Sequence, residues 1–244
     1  DYSPLYTIGT QIKSFTFGSN VETIPAYLCR NMSNISAPIV IPESVTSIGS
    51  EAFYNCSSVP SLTLNKTIKN YNREFYGCSG LKSVYYTGTI EDWCGITFSS
   101  ASANPVYYAK NLYINNALIS EITIPSTISN IGAHQFYNAT SLTKITLPST
   151  ITTIGANAFY GCSKLAAIEF PNSITKIGSS ALYGCSSLRK VVFGENLTSI
   201  GNNTLMSCNA LDTIVWNVKT FSISSYDYSP LYTIGTQIKS FTFG

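Results

Sequence analysis

The chain has 244 residues, of which 44% are hydrophobic and only 11% are charged, less than half the charged fraction of an average domain. Its formal net charge is +2, which gives no electrostatic reason to expect binding to nucleic acid or to an anionic membrane surface. No run of residues approaches the roughly 18 apolar residues of a membrane-spanning helix, so membrane insertion is not expected.

Short segments with the pattern apolar–X–apolar recur along the chain, built from β-branched or aromatic residues and ended by Pro, Gly or Asn. They predict strands of three or four residues, whose outer side chains point inward while the middle one faces solvent. In chain order the clear copies are residues 39–42, 62–65, 122–125, 145–148, 168–171, 191–194 and 214–217. Residues 15–18 and 84–87 are looser copies.

Three further signals follow each predicted strand. A second apolar pair comes first, then a glycine such as Gly178, replaced in one unit by Asn72, which tolerates a left-handed backbone well. A stretch such as GANAFYGC then predicts a short helix that ends at Gly or Asn, as at Gly161. A tyrosine recurs in this stretch, and we expect its ring to pack along the outer edge with the hydroxyl in water. These tyrosines are Tyr54, Tyr76, Tyr137, Tyr160 and Tyr183.

The signals repeat with a fixed period. Three consecutive units of equal length begin at Leu142, Leu165 and Leu188. A period of about 23 residues with leucine-like positions indicates a solenoid of stacked repeats. We predict an α/β solenoid of about nine units, with a parallel sheet of short strands on one face and short helices or turns on the other. It is expected to form a single domain over residues 1–244, with irregular units at 82–118 and 217–237.

The strand alternation also predicts which side chains form the core. Thr123, Thr146 and Glu169 should be exposed. The residues expected to be buried are Ile122, Ile124, Phe136, Ile145, Leu147, Phe159, Ile168, Phe170, Leu182, Val191 and Phe193.

The two ends of the chain are duplicated. Residues 1–18 recur letter for letter at 227–244, which predicts a longer parent protein in which residues 1–226 form one of several tandem blocks, an artificial repeat of the end segment being the alternative. Because a terminal repeat exposes an uncapped apolar edge, end-to-end contacts between copies are expected. Residues 15–17 should form a strand, while the second copy should be frayed or held by a neighbouring molecule.

The seven cysteines are expected to be buried free thiols. They are Cys29, Cys56, Cys78, Cys94, Cys162, Cys185 and Cys208. The last three are separated by one repeat period each and so share one repeat position, where Ala139 replaces cysteine in a neighbouring unit. The position therefore favours a small apolar side chain, although disulfides and metal binding stay open as weaker alternatives.

The sequence offers little material for catalysis. His134, the only histidine, aligns with polar residues such as Asn157 and is expected to be exposed. Among the acidic residues, including Glu74, only Glu91 and Asp92 are adjacent, and nothing implies the carboxylate pair of a glycosidase. We expect solvated carboxylates, no catalytic residue, no metal and no cofactor.

The repeat residues follow the pattern I-x-L/I-P-x-x-I-x-x-I-G-x-x-A-F-x-G-C-x-x-L and resemble the BspA-type leucine-rich repeats of bacterial and protozoan surface proteins. The resemblance covers residues 36–81 and 119–216 well and 12–35 loosely, and YYTGTIEDWCGITF is similar to a recurring insert of that family. It implies a leucine-rich-repeat fold, an extracellular or cell-surface location, and adhesion to host proteins or other cells.

The sequence therefore favours a non-enzymatic recognition or adhesion module that binds a protein or glycan partner along the solenoid. The expected docking surface is the strand face with its flanking charges, namely Thr63, Tyr85, Glu121, Thr123, Lys144, Thr146, Glu169, Lys190, Val192 and Val215. An alternative patch is the aromatic insert with Trp93, Tyr107 and Tyr108. A passive spacer built from the tandem blocks is the rival function, and a glycan-active enzyme is a third.

Overall fold

The computed structural model of the chain describes residues 5, 7–221 and 238–244. Its contacts divide the chain into two compact units, unit 1 at residues 1–118 and unit 2 at residues 119–244. The two units are described separately, and the single solenoid over residues 1–244 stays a prediction. Most of the irregular stretch predicted at 217–237 lies outside the described residues.

Both units are built from short strands. Unit 1 contains β1 Thr23–Ile24, β2 Ile39–Val40, β3 Ser47–Ile48, β4 Ser61–Leu64, β5 Asn70–Tyr71, β6 Ser83–Tyr86, α1 Ile90–Cys94, β7 Thr97–Phe98, a 3-10 turn Ala101–Ala103, α2 Val106–Ala109, β8 Leu112–Ile114 and β9 Ala117–Leu118. Unit 2 contains β10 Glu121–Thr123, β11 Asn130–Ile131, β12 Lys144–Thr146, β13 Thr153–Ile154, β14 Ala167–Glu169, β15 Lys176–Ile177, β16 Lys190–Phe193, β17 Ser199–Ile200, β18 Thr213–Trp216 and β19 Ser240–Phe243.

The strands of unit 2 stack in parallel, one repeat above the next, and each repeat is called a rung below. One sheet has the order β10-β12-β14-β16-β18-β19, and a second has the order β11-β13-β15-β17. Ile122 pairs with Ile145 in the first sheet and Ile131 with Ile154 in the second. The period read from the sequence is therefore the spacing of the rungs.

Unit 1 follows the same plan with one departure. Its main sheet has the order β2-β4-β6-β8-β9, flanked by the pairs β1-β3 and β5-β7. The pairing is parallel up to β8, whereas β8 and β9 are antiparallel. The predicted irregular unit at 82–118 thus ends in a hairpin at the edge of this sheet.

The predicted alternation places most of the core correctly. Phe159 is fully buried, and its ring stacks on that of Phe136 with centroids 5.6 Å apart and planes within 3°. The other core residues confirmed as buried are Ile124, Ile145, Ile168, Phe170, Leu182, Val191 and Phe193. Thr123, Thr146 and Glu169 are exposed, as predicted.

Ile122 and Leu147 are exceptions, because both are half-buried rather than buried. Ile122 lies in β10, the edge strand of its sheet, so only one neighbouring strand of that sheet covers it. Leu147 follows β12 and lines a cavity on the strand face. The alternation of side chains along a strand correctly predicted that both point inward. It did not predict that each lacks neighbours on one side and is therefore only half-buried.

Of the short helices or turns predicted in the regular repeats, the structure has turns, so the α/β class with short helices is not confirmed. Both α-helices of the described chain, α1 and α2, lie in the irregular insert of unit 1. In the regular rungs the backbone N–H groups of Asn157, Phe159 and Gly161 donate to Ser179, Ala181 and Tyr183 of the next rung at 2.7–2.9 Å. Those donors are not available for the i→i−4 bonds of a helix, so the fold is a β-solenoid.

The left-handed backbone also lies elsewhere than predicted. Most regular rungs have two residues with positive φ, for example Ser180 at 55° and Gly184 at 71°. Gly178, predicted as the turn residue, does not have a positive φ, nor does Asn72. Between these two positions every second N–H donates to the neighbouring rung, as those of Asn157, Phe159 and Gly161 do.

The prediction for the duplicated ends is wrong. Residues 12–17 of the first copy form no strand, whereas β19 of the second copy pairs in register with β18 over all its residues. Phe243 of β19 is 77% exposed, and an end-to-end contact with another copy stays a prediction. Residues 1–4, 6 and 227–237 of the two copies lie outside the described residues.

Pro38 gives a physical reason for this difference. At its repeat position in other rungs, the N–H of Lys144 donates to Ser120 at 3.2 Å and that of Thr213 donates to Arg189 at 3.0 Å. Proline has no N–H, so the rung that follows the first copy lacks this bond. In the second copy the residue at this position is Ser240, and its N–H donates to Asp212 at 3.0 Å.

The regular cysteines form a buried column with a repeated hydrogen bond. The thiols of Cys162, Cys185 and Cys208 each donate to a carbonyl oxygen 26 residues earlier at 3.2 Å. All seven cysteines of the chain are buried and free in the structure. Burial raises the pKa of Cys162 to about 12, and a protonated thiol is a poor nucleophile.

We therefore expect the native chain to resist thiol reagents. Fewer than about one of the seven thiols should react with Ellman's reagent at pH 8 in the folded protein, because their pKa values are raised and they are covered. All seven should react in 6 M guanidinium chloride. An intact mass two units low per missing pair of thiols would instead reveal disulfides.

Glu74 departs from the predicted solvated carboxylates. Its side chain is buried, and its Oε2 accepts a hydrogen bond from the backbone N–H of Asn72 at 2.6 Å. Burial raises the pKa of Glu74, an effect that hydrogen bonds from the backbone oppose. The matching residue of another rung is Gln135, which is also buried.

Replacing Glu74 by glutamine should raise the melting temperature at pH 7 by a few degrees and change it little at pH 3.5. A raised folded-state pKa contributes stability that is complete below the unfolded pKa, about 4.3, and is lost as the pH rises through the folded pKa. Thermal melts of both proteins at the two pH values test this. An equal shift at both values would show that ionisation of Glu74 is not the cause.

Candidate functional site

The strand face of unit 2 carries eight of the ten predicted docking residues, and five of these lie in one column along the stack. Thr123 pairs with Thr146, Glu169 pairs with Val192, and Val192 pairs with Val215 on successive strands. The two threonines and Glu169 are exposed, while the two valines are half-buried. The pairing of the strands fixes the order of these side chains along the stack, and neighbouring strands lie about 4.8 Å apart.

A second column beside it carries the charges. Lys144 pairs with Ala167, and Ala167 pairs with Lys190, so the two lysines lie about 9.6 Å apart along the stack at the usual strand spacing. Glu121 precedes them, with its Oε2 at 4.0 Å from Lys144 Nζ. Both of these groups are largely exposed, so their ion pair contributes little to stability.

A cavity of about 470 Å³ opens in this face between β12 and β14. The two strands pair at Lys144 and Ala167 alone, whereas the junctions on either side pair over three residues each. The cavity is lined by Thr143, Lys144, Ile145, Thr146, Leu147, Ala166, Ala167, Ile168, Glu169, Pro171, Lys190 and Val192. Five of the ten predicted docking residues are therefore in its wall, together with an apolar floor.

The remaining predicted docking residues lie outside this cavity. Glu121, Thr123 and Val215 belong to the same face of unit 2, on other rungs. Thr63 and Tyr85 lie in unit 1, where they pair on β4 and β6 and line a different cavity.

The fold leaves only part of the alternative aromatic patch accessible to a partner. Trp93 is fully buried in α1, where its ring packs against Tyr86 and Phe98 at 5.2 and 5.5 Å. Tyr107 and Tyr108 are half-buried, and the hydroxyl of Tyr108 accepts a hydrogen bond from Gly77 N–H at 2.8 Å. Only these two tyrosines of the patch could contact a partner, and one of them already has a structural bond.

The adjacent acidic pair has a structural role. Asp92 N–H donates to Thr89 Oγ1 and Asp92 Oδ2 accepts from Thr89 N–H, each at 3.1 Å, which together form a capping box for α1. Lys69 Nζ lies 3.2 Å from Asp92 Oδ1. These bonds, the one from the Thr89 backbone foremost, lower the pKa of Asp92.

His134 is half-buried rather than exposed, and burial lowers its pKa. It occupies a left-handed backbone position with φ of 60°, which Asn157 and Ser180 occupy in the next rungs. Within the described ranges, no three His, Cys, Asp or Glu side chains come together as a metal site. No helix among the described residues is long and apolar enough to span a bilayer.

Sequence reasoning missed the floor of the unit 2 cavity. Ile145, Leu147 and Ile168 are core residues by the repeat pattern, and nothing in that pattern separates this junction from its neighbours. The recurring tyrosines form a stacked column, in which the rings of Tyr137 and Tyr160 stack at 4.6 Å and those of Tyr160 and Tyr183 at 4.7 Å.

Several solved structures are similar to the chain, and the first of them supports this fold. The chain is similar to a leucine-rich repeat protein from Eubacterium ventriosum, with 20% identity over 98% of this chain and 74% of that one and a TM-score of 0.52. It is also similar to the pneumococcal vaccine antigen PcpA, with 16% identity, 95% and 79% coverage and a TM-score of 0.49. A leucine rich cell surface protein from Faecalibacterium prausnitzii matches with 18% identity, 96% and 86% coverage and a TM-score of 0.36.

No curated protein sequence shows significant similarity to the chain. The profile of a repeat family, described as the BspA type leucine rich repeat region, matches residues 6–117 and 106–233 in six copies. Together these ranges cover residues 6–233, nearly the whole chain. The chain therefore belongs to the BspA-type leucine-rich-repeat family.

Proposed function

We propose that the chain is a non-enzymatic recognition module, located at the cell surface or secreted, whose unit 2 binds a protein partner on its strand face. The observation that carries this proposal is the cavity between β12 and β14. The location rests on the family resemblance.

The wall of the cavity has the composition of a protein interface. Ile145, Leu147 and Ile168 supply an apolar floor, which suits an aliphatic or aromatic side chain of a partner. Lys144 and Lys190 form the rim with Glu169, and a charged rim around an apolar centre is the usual anatomy of a docking site. The rim carries one net positive charge, so the partner residues around the anchor should include a carboxylate.

A passive spacer is the rival function, and it has no use for this cavity. The regular junctions of the stack show how rungs pack when the ladder is complete, as between β16 and β18, which pair over four residues. The opening between β12 and β14 leaves Leu147 half-buried and so loses part of its packing. A passive spacer would gain nothing from this loss.

The test is binding to immobilised host extracellular-matrix proteins, with two matched variants of the strand face. Thr146→Arg places a long side chain at the cavity and should weaken binding by at least about tenfold, or 1.4 kcal/mol. Thr123→Arg makes the same change on the preceding exposed position and should change affinity by less than about twofold. Biolayer interferometry with each variant measures the difference.

If the two variants weaken binding equally, the cavity is not the docking site. If the unaltered chain binds none of the matrix proteins at micromolar concentration, the spacer function is favoured. Circular dichroism melts of both variants confirm that the fold is retained.

A further inference from the structure

The strand face of unit 1 carries an aromatic pair that unit 2 lacks among its described residues. Tyr85 of β6 pairs with Tyr113 of β8 in the ladder, and their rings stack with centroids 4.6 Å apart and planes at 22°. Both tyrosines are half-buried and occupy the outward position of their strands. One face of the Tyr85 ring is thus covered by Tyr113, and the other is directed toward β4.

On that other side, the ladder partner of Tyr85 is Thr63. Threonine is too small to continue the aromatic stack, and a cavity of about 340 Å³ lies at this position. It is lined by Thr63, Tyr85, Tyr86, Thr87, Asn115 and Asn116. The volume is near the lower limit of ordinary ligand pockets, which suits one or two sugar rings.

The polar side of the cavity is held in place by the backbone. Asn115 and Asn116 form the two-residue turn between β8 and β9, with φ of 49° and 64°, as in a type I′ hairpin. Asn115 N–H donates to the carbonyl of Tyr86 at 3.1 Å, and Thr87 N–H donates to that of Leu64 at 3.0 Å. Both anchors fix the edge of the cavity without using a side-chain amide.

The Thr87 hydroxyl completes the polar lining. Thr87 Oγ1 donates to Glu43 Oε1 at 2.6 Å, which leaves its lone pairs free to accept a hydrogen bond from a ligand. The hydroxyl of Tyr86, a residue with 1% of its surface exposed, has no hydrogen-bond partner within the described part of the chain. The ring of Tyr86 packs on Trp93 at 5.2 Å on the inward side of β6, so this hydroxyl is not among the proposed ligand contacts.

We infer that this cavity is a saccharide-binding site, in which a pyranose ring stacks on the free face of Tyr85 and its hydroxyls bond to Thr87, Asn115 and Asn116. The face of an aromatic ring is negative and attracts the C–H groups of a sugar ring, while amides and hydroxyls both donate and accept. Among the described residues, no lysine, arginine or carboxylate lines the cavity, which favours a neutral ligand. The cavity of unit 2 instead has no aromatic side chain among the described residues of its wall and carries the charged residues Lys144, Glu169 and Lys190.

Saturation-transfer-difference NMR with four neutral disaccharides tests the inference on the full chain: lactose, cellobiose, mannobiose and N,N′-diacetylchitobiose. At least one should receive saturation at its ring C–H protons, with millimolar or tighter affinity. Tyr85→Ala should weaken that binding at least about tenfold, whereas Tyr85→Phe should retain it within about threefold because the ring remains.

A second variant tests the polar side without disturbing the hairpin. Asn116→Gly removes the amide but keeps a residue that accepts positive φ in this turn, and it should weaken binding at least about threefold. Tyr160→Ala, which removes one ring from the stacked column of unit 2, is the matched control and should leave binding unchanged. Thr146→Arg should also leave it unchanged, which separates this site from the proposed protein site.

Two results would overturn the inference. One is that none of the four sugars receives saturation at 10 mM. The other is that Tyr85→Ala and Asn116→Gly, both shown to be folded by circular dichroism, bind the sugar as well as the unaltered chain.

Discussion

Replacing Phe159 by alanine should lower the free energy of unfolding by about 3–5 kcal/mol, as expected for a large-to-small change in a tightly packed core. The Phe159 ring is fully buried and stacks on Phe136. Its removal also leaves a void against Leu182 of the next rung, the residue that occupies the same repeat position. Denaturant unfolding with an unchanged m-value would give the difference directly.

Phe159→Leu is the matched control, because Leu182 and Leu205 occupy this position in the next two rungs and are fully buried. It should cost less than about 1.5 kcal/mol, the usual limit for changes that nearly conserve shape and volume. A loss below about 1 kcal/mol for Phe159→Ala would mean that the rungs repack around the void, contrary to the stacked column seen here.

Replacing Gly178 by alanine should destabilise the chain by about 3 kcal/mol or more, at the upper end of overpacking effects. A Cβ at this position would lie very close to the backbone nitrogen of Ala156 in the preceding rung, well inside van der Waals contact. Backbone cannot yield as the end of a flexible side chain can, so the two rungs would have to separate. The hydrogen bond from Gly178 N–H to Ile154, 2.8 Å long, would lengthen with them.

Gly184 in the same rung provides the contrast. It has a φ of 71°, and the nearest atom to a Cβ there would be 3.8 Å away. Glycine is therefore favoured at this position by the left-handed backbone and not by a lack of space for a side chain. Asn55 and Asn138 occupy the same repeat position with φ of 56° and 55°. Gly184→Asn should therefore cost less than about 1 kcal/mol, and thermal melts of the two glycine variants should differ clearly. Equal losses would show that close rung contact is not the reason for Gly178.

The contrast between these glycines shows what the sequence can and cannot predict. The period shows which residues are equivalent in successive rungs, so Phe159, Cys162 and Gly178 could be assigned to repeat positions. The alternation along each strand then predicted which side chains point inward and which point outward. The physical role of Gly178 could not be read from the pattern, because turn and close contact both select glycine. The same ambiguity led to the predicted helices, since an apolar pair before a glycine fits a helix end as well as a turn.

The candidate sites were predictable only in part, for a related reason. Lys144, Thr146 and Glu169 were placed on the correct face because alternation is a local property of a strand. The cavity beside them depends on one junction where the ladder narrows, and repeats that look alike in sequence carry no signal of it. Tyr113 and Asn115 were not predicted as site residues because they lie in the irregular insert, where the period gives no register.

The constant register of the stack has a consequence for how such a chain can change in evolution. Loss of one whole rung, residues 165–187, would bring Phe159 against Leu205, Cys162 against Cys208, and Gly155 against Gly201. Each contact joins residues that already occupy the same column, so recombination in units of whole rungs should preserve the fold. A shift by one residue would instead turn every strand over. Loss of this rung would also remove β14 and the cavity beside it, so gain or loss of rungs can alter what a surface recognises while the scaffold persists.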